Sequence, residues 1–379
     1  MENIEIVIRN GHIVDPFAGV NAQGTIAVAS GRSLGLVSSD TSARTEIDAS
    51  GCYIFPGFID FHTHVYYRGS SLCVDPNSFL SMGVTTAADA GTSGCSNFYS
   101  FYSSIIAHSS VRILVFLNVC SYGQPGDGFE DNLCPEFYQP EKIKRLMEEY
   151  PDIIKGLKIR MSQELLDGQK TEPLIQAKEM ARELNCPIVV HASNPPVPET
   201  EIVSCLDAGD ILCHCFHGKG MTILDSNGHV ASELIQAKER GILFDCANGS
   251  TNYNHAVARA AIAEGFLPDI ISTDMCSDIY NRGNVGKNLP FVMSKYLSLG
   301  MSLQNVIQAV TSAPARALGL EGYLGTLKKG AVGDITVCKY LNSMPVFVDH
   351  IGEVVAGKKL LLPVLTVKSG KILYRQTDF

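Results

Sequence analysis

The chain has 379 residues, of which 45% are hydrophobic and 18% charged, with a net charge of −9. A single hydrophobic core rarely grows past roughly 250–300 residues, so this length predicts one large domain with a smaller companion. The acidic balance, the absence of basic clusters and the lack of any apolar run near the roughly 20 residues of a bilayer span exclude nucleic acid and membrane as expected partners, which leaves a small-molecule substrate.

The first residues, Met1 to Val7, carry acids where a secretory leader needs basic ones, and no apolar leader core follows, so a cytoplasmic protein is expected. Residues 3–55 then show short β-type runs at Ile4–Ile8, Gly24–Ala29 and Thr45–Asp48. Residues 325–379 have the same texture, at Ile335–Cys338 and Leu365–Val367. Neither piece, at roughly 55 residues, can bury much core alone. The two ends therefore predict one composite β-sandwich, residues 1–55 with 320–379, beside a main domain of residues 56–319.

The main domain opens with Pro56-Gly57 and the run Phe58–His64, whose alternation puts His62 and His64 on one face of a strand. Seven more apolar runs follow: Gly83–Ala90, Val111–Val119, Ile153–Met161, Pro187–Ala192, Asp210–Phe216, Ile242–Ala247 and Asp269–Met275. Helical patterns lie between them, as at Glu172–Leu184 and His229–Arg240. Eight strand and helix alternations predict an α/β protein, a parallel (β/α)8 TIM barrel. A doubly wound open sheet is the alternative, but no GxGxxG turn opens its first helix.

In such a barrel the reacting groups gather at the C-terminal ends of the strands. His62 and His64 end the first run, Lys158 lies near the end of the fourth, and His191, His214 and Asp274 end the fifth, sixth and eighth. Alternation sets Lys158 on the face of Gly156 and Arg160, opposite Leu157 and Ile159. If that face is the lumen, burial lowers the pKa of the ammonium, and the neutral amine can add carbon dioxide to become an anionic ligand bridging two divalent ions. A structural alternative pairs Lys158 with an acid such as Asp60. The twelve cysteines sit mostly in apolar strands and are expected as reduced core residues; Cys213 and Cys215 lack the second pair that a tetrathiolate zinc site needs.

Three further motifs join the His-x-His: Ile47-Asp48-Ala49-Ser50-Gly51, Ala313-Pro314-Ala315-Arg316-Ala317-Leu318-Gly319, and Gly330-Ala331-Val332-Gly333-Asp334-Ile335. With them the chain resembles the amidohydrolase superfamily. Gly156-Leu157-Lys158-Ile159-Arg160, His214-Cys215-Phe216 and Ile271-Ser272-Thr273-Asp274 are similar to its binuclear deacetylase and dihydroorotase-like branch. The resemblance implies His62 and His64 on the more buried of two metals, N6-carboxylated Lys158 bridging both, His191 and His214 on the more exposed one, and Asp274 on the buried one. Zinc is the default ion for this donor set. The implied reaction is attack of a metal-bridging hydroxide on a carbonyl, with Asp274 carrying the proton to the leaving group.

Dihydroorotases carry an arginine two residues after the second histidine, where this chain has Tyr66, and adenosine-type deaminases place a glutamate where it has Asn194. A deacetylase-type hydrolase of an N-acyl amino acid or an acetylated hydroxy acid is therefore expected. Cyclic amide hydrolysis of the dihydroorotase or hydantoinase kind is the alternative, with a deaminase and a metal-free scaffold behind it. Arg160 is the candidate carboxylate clamp or else a structural ion pair, and Tyr66 and Asn248, in the loop Asn248–Tyr253, are further candidate substrate contacts. His217 is expected either at the pocket or in solvent, and the protein is expected to form a homo-oligomer.

Overall fold

A computed structural model describes residues 4–126, 128–166, 168–282 and 285–379. Met1 to Asn3, which open the segment used to argue against a leader, lie outside the described residues. The chain begins with β1 (Ile4–Asp15), β2 (Val20–Ala29), β3 (Arg32–Leu36), β4 (Thr45–Asp48) and β5 (Tyr53–Pro56). β1 pairs antiparallel with β2 and parallel with both β4 and β5.

A second sheet follows, made of β6 (Phe58–Thr63), β7 (Val84–Gly94), β8 (Arg112–Asn118), β9 (Ile154–Arg160), β10 (Ile188–His191), β11 (Ile211–Cys213) and β12 (Leu243–Asp245). These seven strands neighbour one another in chain order and every pair is parallel. Every residue of β6 and β7 is buried, as a parallel sheet covered on both faces requires. The eighth apolar run makes only isolated bridges, yet it reaches both edges of the sheet: Ile270 pairs in parallel with Asp245 of β12, and Met275 with Thr63 of β6. His64 N–H donates to Met275 O at 2.9 Å on one side, and Asn248 N–H to Ser272 O at 3.2 Å on the other.

Helices pack outside this sheet at the expected places. Helix Glu172–Glu183 buries Leu174, Ala177 and Ala181, a three- and four-residue spacing that faces one stripe inward. The helix expected from His229 begins instead at Ser232, because Asp225 folds the preceding segment into a turn and His229 Nδ1 pairs with Glu264 at 2.6 Å.

The chain closes with β13 (Ile335–Asn342), β14 (Val346–Val348), β15 (Val354–Ala356), β16 (Lys359–Lys368) and β17 (Lys371–Arg375). β13 pairs antiparallel with β5, Ile335 opposite Pro56, so both ends of the chain join in one eight-stranded sheet of order β17-β16-β13-β5-β1-β2-β3, with β4 on β1. Where a sandwich of two sheets was expected, the hydrogen bonds run unbroken through a single mixed sheet. Its core unites the two ends, Ile8, Ile26 and Ile54 with Val337 and Leu365. Asp334, in the late glycine-rich motif, ties this sheet to the parallel one: Arg112 Nη1 donates to its carboxylate at 3.0 Å and Gly57 N–H to its carbonyl at 2.8 Å. The hairpin β14-β15 reaches back over the parallel domain, where Asp349 accepts from Asn254 and from His255 N–H. Among the described residues no helix is long and apolar enough to cross a membrane.

Candidate metal centre

The six candidate ligands come together at the C-terminal ends of the parallel strands, as alternation predicts. His62 Nε2 and His64 Nε2 lie 3.5 and 3.2 Å from the same atom, Asp274 Oδ1. Lys158 Nζ is 3.4 Å from His62 Nε2, and His214 Nε2 is 2.7 Å from His191 Nδ1. The rings of His62 and His214 are 5.1 Å apart, which joins the two groups. His214 and Asp274 both have left-handed backbones, at φ 65° and 54°. Such strain persists only where surrounding structure enforces it, and it falls here on two of the candidate ligands.

Neighbours fix how these groups point. His214 Nδ1–H donates to Ala247 O at 2.7 Å, which leaves its Nε2 lone pair facing His191, and His64 Nδ1 rests 2.8 Å from Thr92 Oγ1. Thr273 donates to Asp60 from N–H at 3.0 Å and from Oγ1 at 2.6 Å. Asp60 thus anchors the segment carrying Asp274 and does not pair with Lys158. Gly91, at φ +84°, lies against the lysine, and a Cβ there would stand 2.5 Å from Lys158 Cγ. Gly91→Ala is therefore expected to displace Lys158 and lower kcat/KM by roughly 10²-fold, the cost of an ångström-scale misplacement. Steady-state kinetics check this, and unchanged kinetics would remove Gly91 from the site.

Burial sets the protonation states. It pushes the His62 and His191 imidazoles well below their ordinary value and His214 down to about 3, so all three present neutral lone pairs. Burial likewise lowers the Lys158 ammonium toward the neutral amine. Burial pushes the Asp274 carboxyl up, but the hydrogen bond to His64 and the polar rings around it outweigh burial and hold it below the usual carboxylate range. His62, His64 and Asp274 offer ligand atoms within 4.8 Å of one another, and buried His62 Nδ1 has no hydrogen-bond partner. Neutral imidazoles beside an ionised carboxylate fit a divalent cation.

His62 also belongs to a second convergent group, with Cys213 and Asp245. Burial raises the Cys213 thiol well above its ordinary range, and its Sγ lies 3.7 Å from Asp245 Oδ2, to which it donates. A thiol that keeps its proton is a poor ligand. Cys213 is a reduced residue of the buried core, as expected, and packs beside His62.

Above the ligands lies a cavity of about 400 Å³, with His62, His64, Lys158, His191 and Asp274 among its lining residues. Arg160 lines it too, while its Nη1 donates to the buried Asp131 at 3.2 Å, so the expected structural ion pair is present in a residue that also reaches the cavity. Tyr66 does not line the cavity. It lies past the strand end, where Gly69 packs under its ring and turns it onto Phe101, centroids 4.7 Å apart. Asn248 is fully buried behind the wall, where its Oδ1 accepts from Lys295 Nζ at 2.7 Å. From the same loop Ser250, Thr251 and Asn252 reach the cavity instead, and Asn252 Nδ2 donates to Asp274 Oδ2 at 3.3 Å. His217 is neither at the pocket nor in solvent; it is buried against Glu199, 2.5 Å away. Gln124 and Lys219 line the cavity from loops, where no periodic signal in the sequence marks them.

Parallel strands that deliver imidazoles, a desolvated lysine and a carboxylate to one cavity define a small-molecule enzyme with a metal-competent site. The sequence matches the amidohydrolase family over residues 53–373, and the chain belongs to that family. It is a hydrolase acting on C–N bonds. A deacetylase of Agrobacterium fabrum is 34% identical over 84% of this chain and 78% of its own length. A deacetylase of Enterococcus faecalis is 29% identical over 97% of this chain and 98% of its own. Among solved structures, one described as an adenine deaminase superposes with a TM-score of 0.91 at 27% identity over 99% of this chain and 100% of its own, and one described as a dihydroorotase with a TM-score of 0.87 at 30% identity over 98% of each.

Proposed function

We propose that the protein is a binuclear metal-dependent deacetylase that hydrolyses the amide of an N-acyl amino acid or the ester of an acetylated hydroxy acid. The observation that carries this is the convergence of His62, His64 and Asp274 beside desolvated Lys158 and the His191–His214 pair. His62, His64 and Asp274 would hold one cation and His191 and His214 the other. Lys158, as the neutral amine, would add carbon dioxide with loss of a proton, and the resulting N6-carboxylate would supply an anionic oxygen ligand to the cations. Zinc suits the donors best. When bound, the cations lower the pKa of water and polarise a carbonyl oxygen.

The chain's own groups do the rest. Asp274 takes the proton of the attacking water and returns it to the leaving nitrogen or oxygen. Asn252, donating to Oδ2, fixes the orientation of that carboxylate, whose Oδ1 faces His62 and His64. We also read the segment 269–275 as the eighth strand of a closed (β/α)8 barrel, and keep residues 56–319 as its span with 1–55 and 320–379 as the companion domain. Twelve unpaired cysteines suit a reducing cytoplasm.

The names borne by the relatives support deacetylation; likeness to a structure described as a dihydroorotase favours cyclic amides as the second reading. A screen of N-acyl-D- and L-amino acids, acetylated hydroxy acids and cyclic amides with zinc-loaded protein separates them, and turnover of cyclic amides alone would overturn the first. Chelation is expected to abolish turnover, with recovery on adding zinc and bicarbonate, and to lower Tm by several degrees, since a ligand at roughly 100 times its Kd contributes about 2.7 kcal/mol. Protein that takes up no metal under those conditions would favour the scaffold.

A further inference from the structure

Besides Lys158 the cavity holds two basic side chains, and they are not equivalent. Arg160 already donates to Asp131, a buried carboxylate that also accepts from Asn118 Nδ2 at 3.2 Å. Lys219 makes no side-chain hydrogen bond or ion pair among the described residues, although its backbone is firmly held. Its N–H donates to His217 Nδ1 at 3.1 Å, and His217 Nε2 is 2.5 Å from Glu199, both of them buried. One step back, His217 N–H donates to the carbonyl of the candidate ligand His214 at 2.8 Å. At Gly218 a Cβ would stand 2.6 Å from His350 and 2.7 Å from Asn254, so the loop is packed tight there as well.

A rigid loop leading straight from a candidate metal ligand thus presents a half-buried ammonium with no counter-ion to the cavity. A cation so placed is under-satisfied until an anion meets it. The acids of the cavity do not serve: Glu164 accepts from Asn194 Nδ2 at 2.8 Å, Asp274 is engaged by His64 and Asn252, and Glu130 is exposed at the mouth.

We propose that Lys219 is the specificity-determining cation of this site, pairing with a carboxylate of the substrate, and that the buried Glu199–His217 pair holds the loop that carries it. This rests on the hydrolase function proposed above and assigns the group that reads the acid of its substrates, with Arg160 in a supporting role beside Asp131.

The test is calorimetric titration of zinc-loaded protein with a non-cleavable pair, N-methylsulfonylalanine and its carboxamide, in both enantiomers. The wild type is expected to bind the carboxylate about 10- to 100-fold more tightly than the carboxamide, the worth of one charged hydrogen bond. Lys219→Met should erase that difference while leaving carboxamide affinity unchanged, which also reports that the site is folded. Lys219→Arg should keep most of it, and Glu199→Gln should reduce it. A wild type that binds neither compound, or both equally, overturns the proposal, as does a Lys219→Met variant that keeps the preference. Turnover of N-acetylalanine tests the hydrolase function separately. Charge preference without cleavage sinks that function and spares Lys219, whereas cleavage indifferent to Lys219 does the reverse.

Discussion

Asp274→Asn is expected to lower kcat by about 10²- to 10⁴-fold, the range over which a positioned general acid and base contributes. The amide keeps the volume of the carboxyl and one oxygen to face His62 and His64, now 3.5 and 3.2 Å from Oδ1. Metal content, measured by elemental analysis, should therefore stay close to that of the wild type. What the amide cannot do is take a proton, because the ionised carboxylate is gone. A variant with full activity would end the proton-carrier role, and one that lost metal in step with activity would reduce Asp274 to a ligand.

Lys158→Met should be comparably severe in activity and opposite in stability. Losing the proposed anionic ligand should cost several kcal/mol of transition-state stabilisation, about 10³-fold or more in kcat, and lower the metal content. Yet Lys158 is 1% exposed and, among the described residues, its amine has no carboxylate in contact; its near neighbour is His62 Nε2 at 3.4 Å. An apolar side chain of like size removes a desolvated amine, so the metal-free variant should melt at or above the metal-free wild type, by as much as about 1–4 kcal/mol of stability. Calorimetric melting of both apoproteins decides it. A large fall in Tm would mean that Lys158 is there for the fold.

The centre of the site was legible in the sequence because strands enforce direction. His62, Lys158 and His191 lie within strands, where a two-residue period fixes the face, and the structure brings them to one cavity. Tyr66 and Asn248 lie beyond strand ends, where that period lapses and packing decides: Phe101 takes one side chain and Lys295 the other. Gln124 and Lys219 lie in loops that no such period marks, whereas the loop Asn248–Tyr253 was expected at the substrate and does reach the cavity through Ser250, Thr251 and Asn252. Glu199 and His217 are 18 residues apart, and nothing local in either segment announces their pairing. Helix ends moved by a few residues where a turn competed, as at His229. The composite β-domain was legible as texture, but not that its strands would run as one sheet, since pairing β5 with β13 is a choice between distant segments that no local pattern encodes.

That pairing also orders events during synthesis. Residue 56 finds its partner only when residue 335 has left the ribosome, which at roughly 5–20 residues per second means on the order of tens of seconds with β5 exposed along one edge. The catalytic strands can pair with their neighbours as they emerge, since each lies beside the next in sequence. The nascent chain thus reaches a state with most of its candidate ligands in hand and one edge of β5 still unpaired. An open strand edge is a template for other chains. Premature termination before β13 would turn a nearly assembled enzyme into an aggregation seed, so chaperone demand should depend on the last fifty or so residues more than on the metal site.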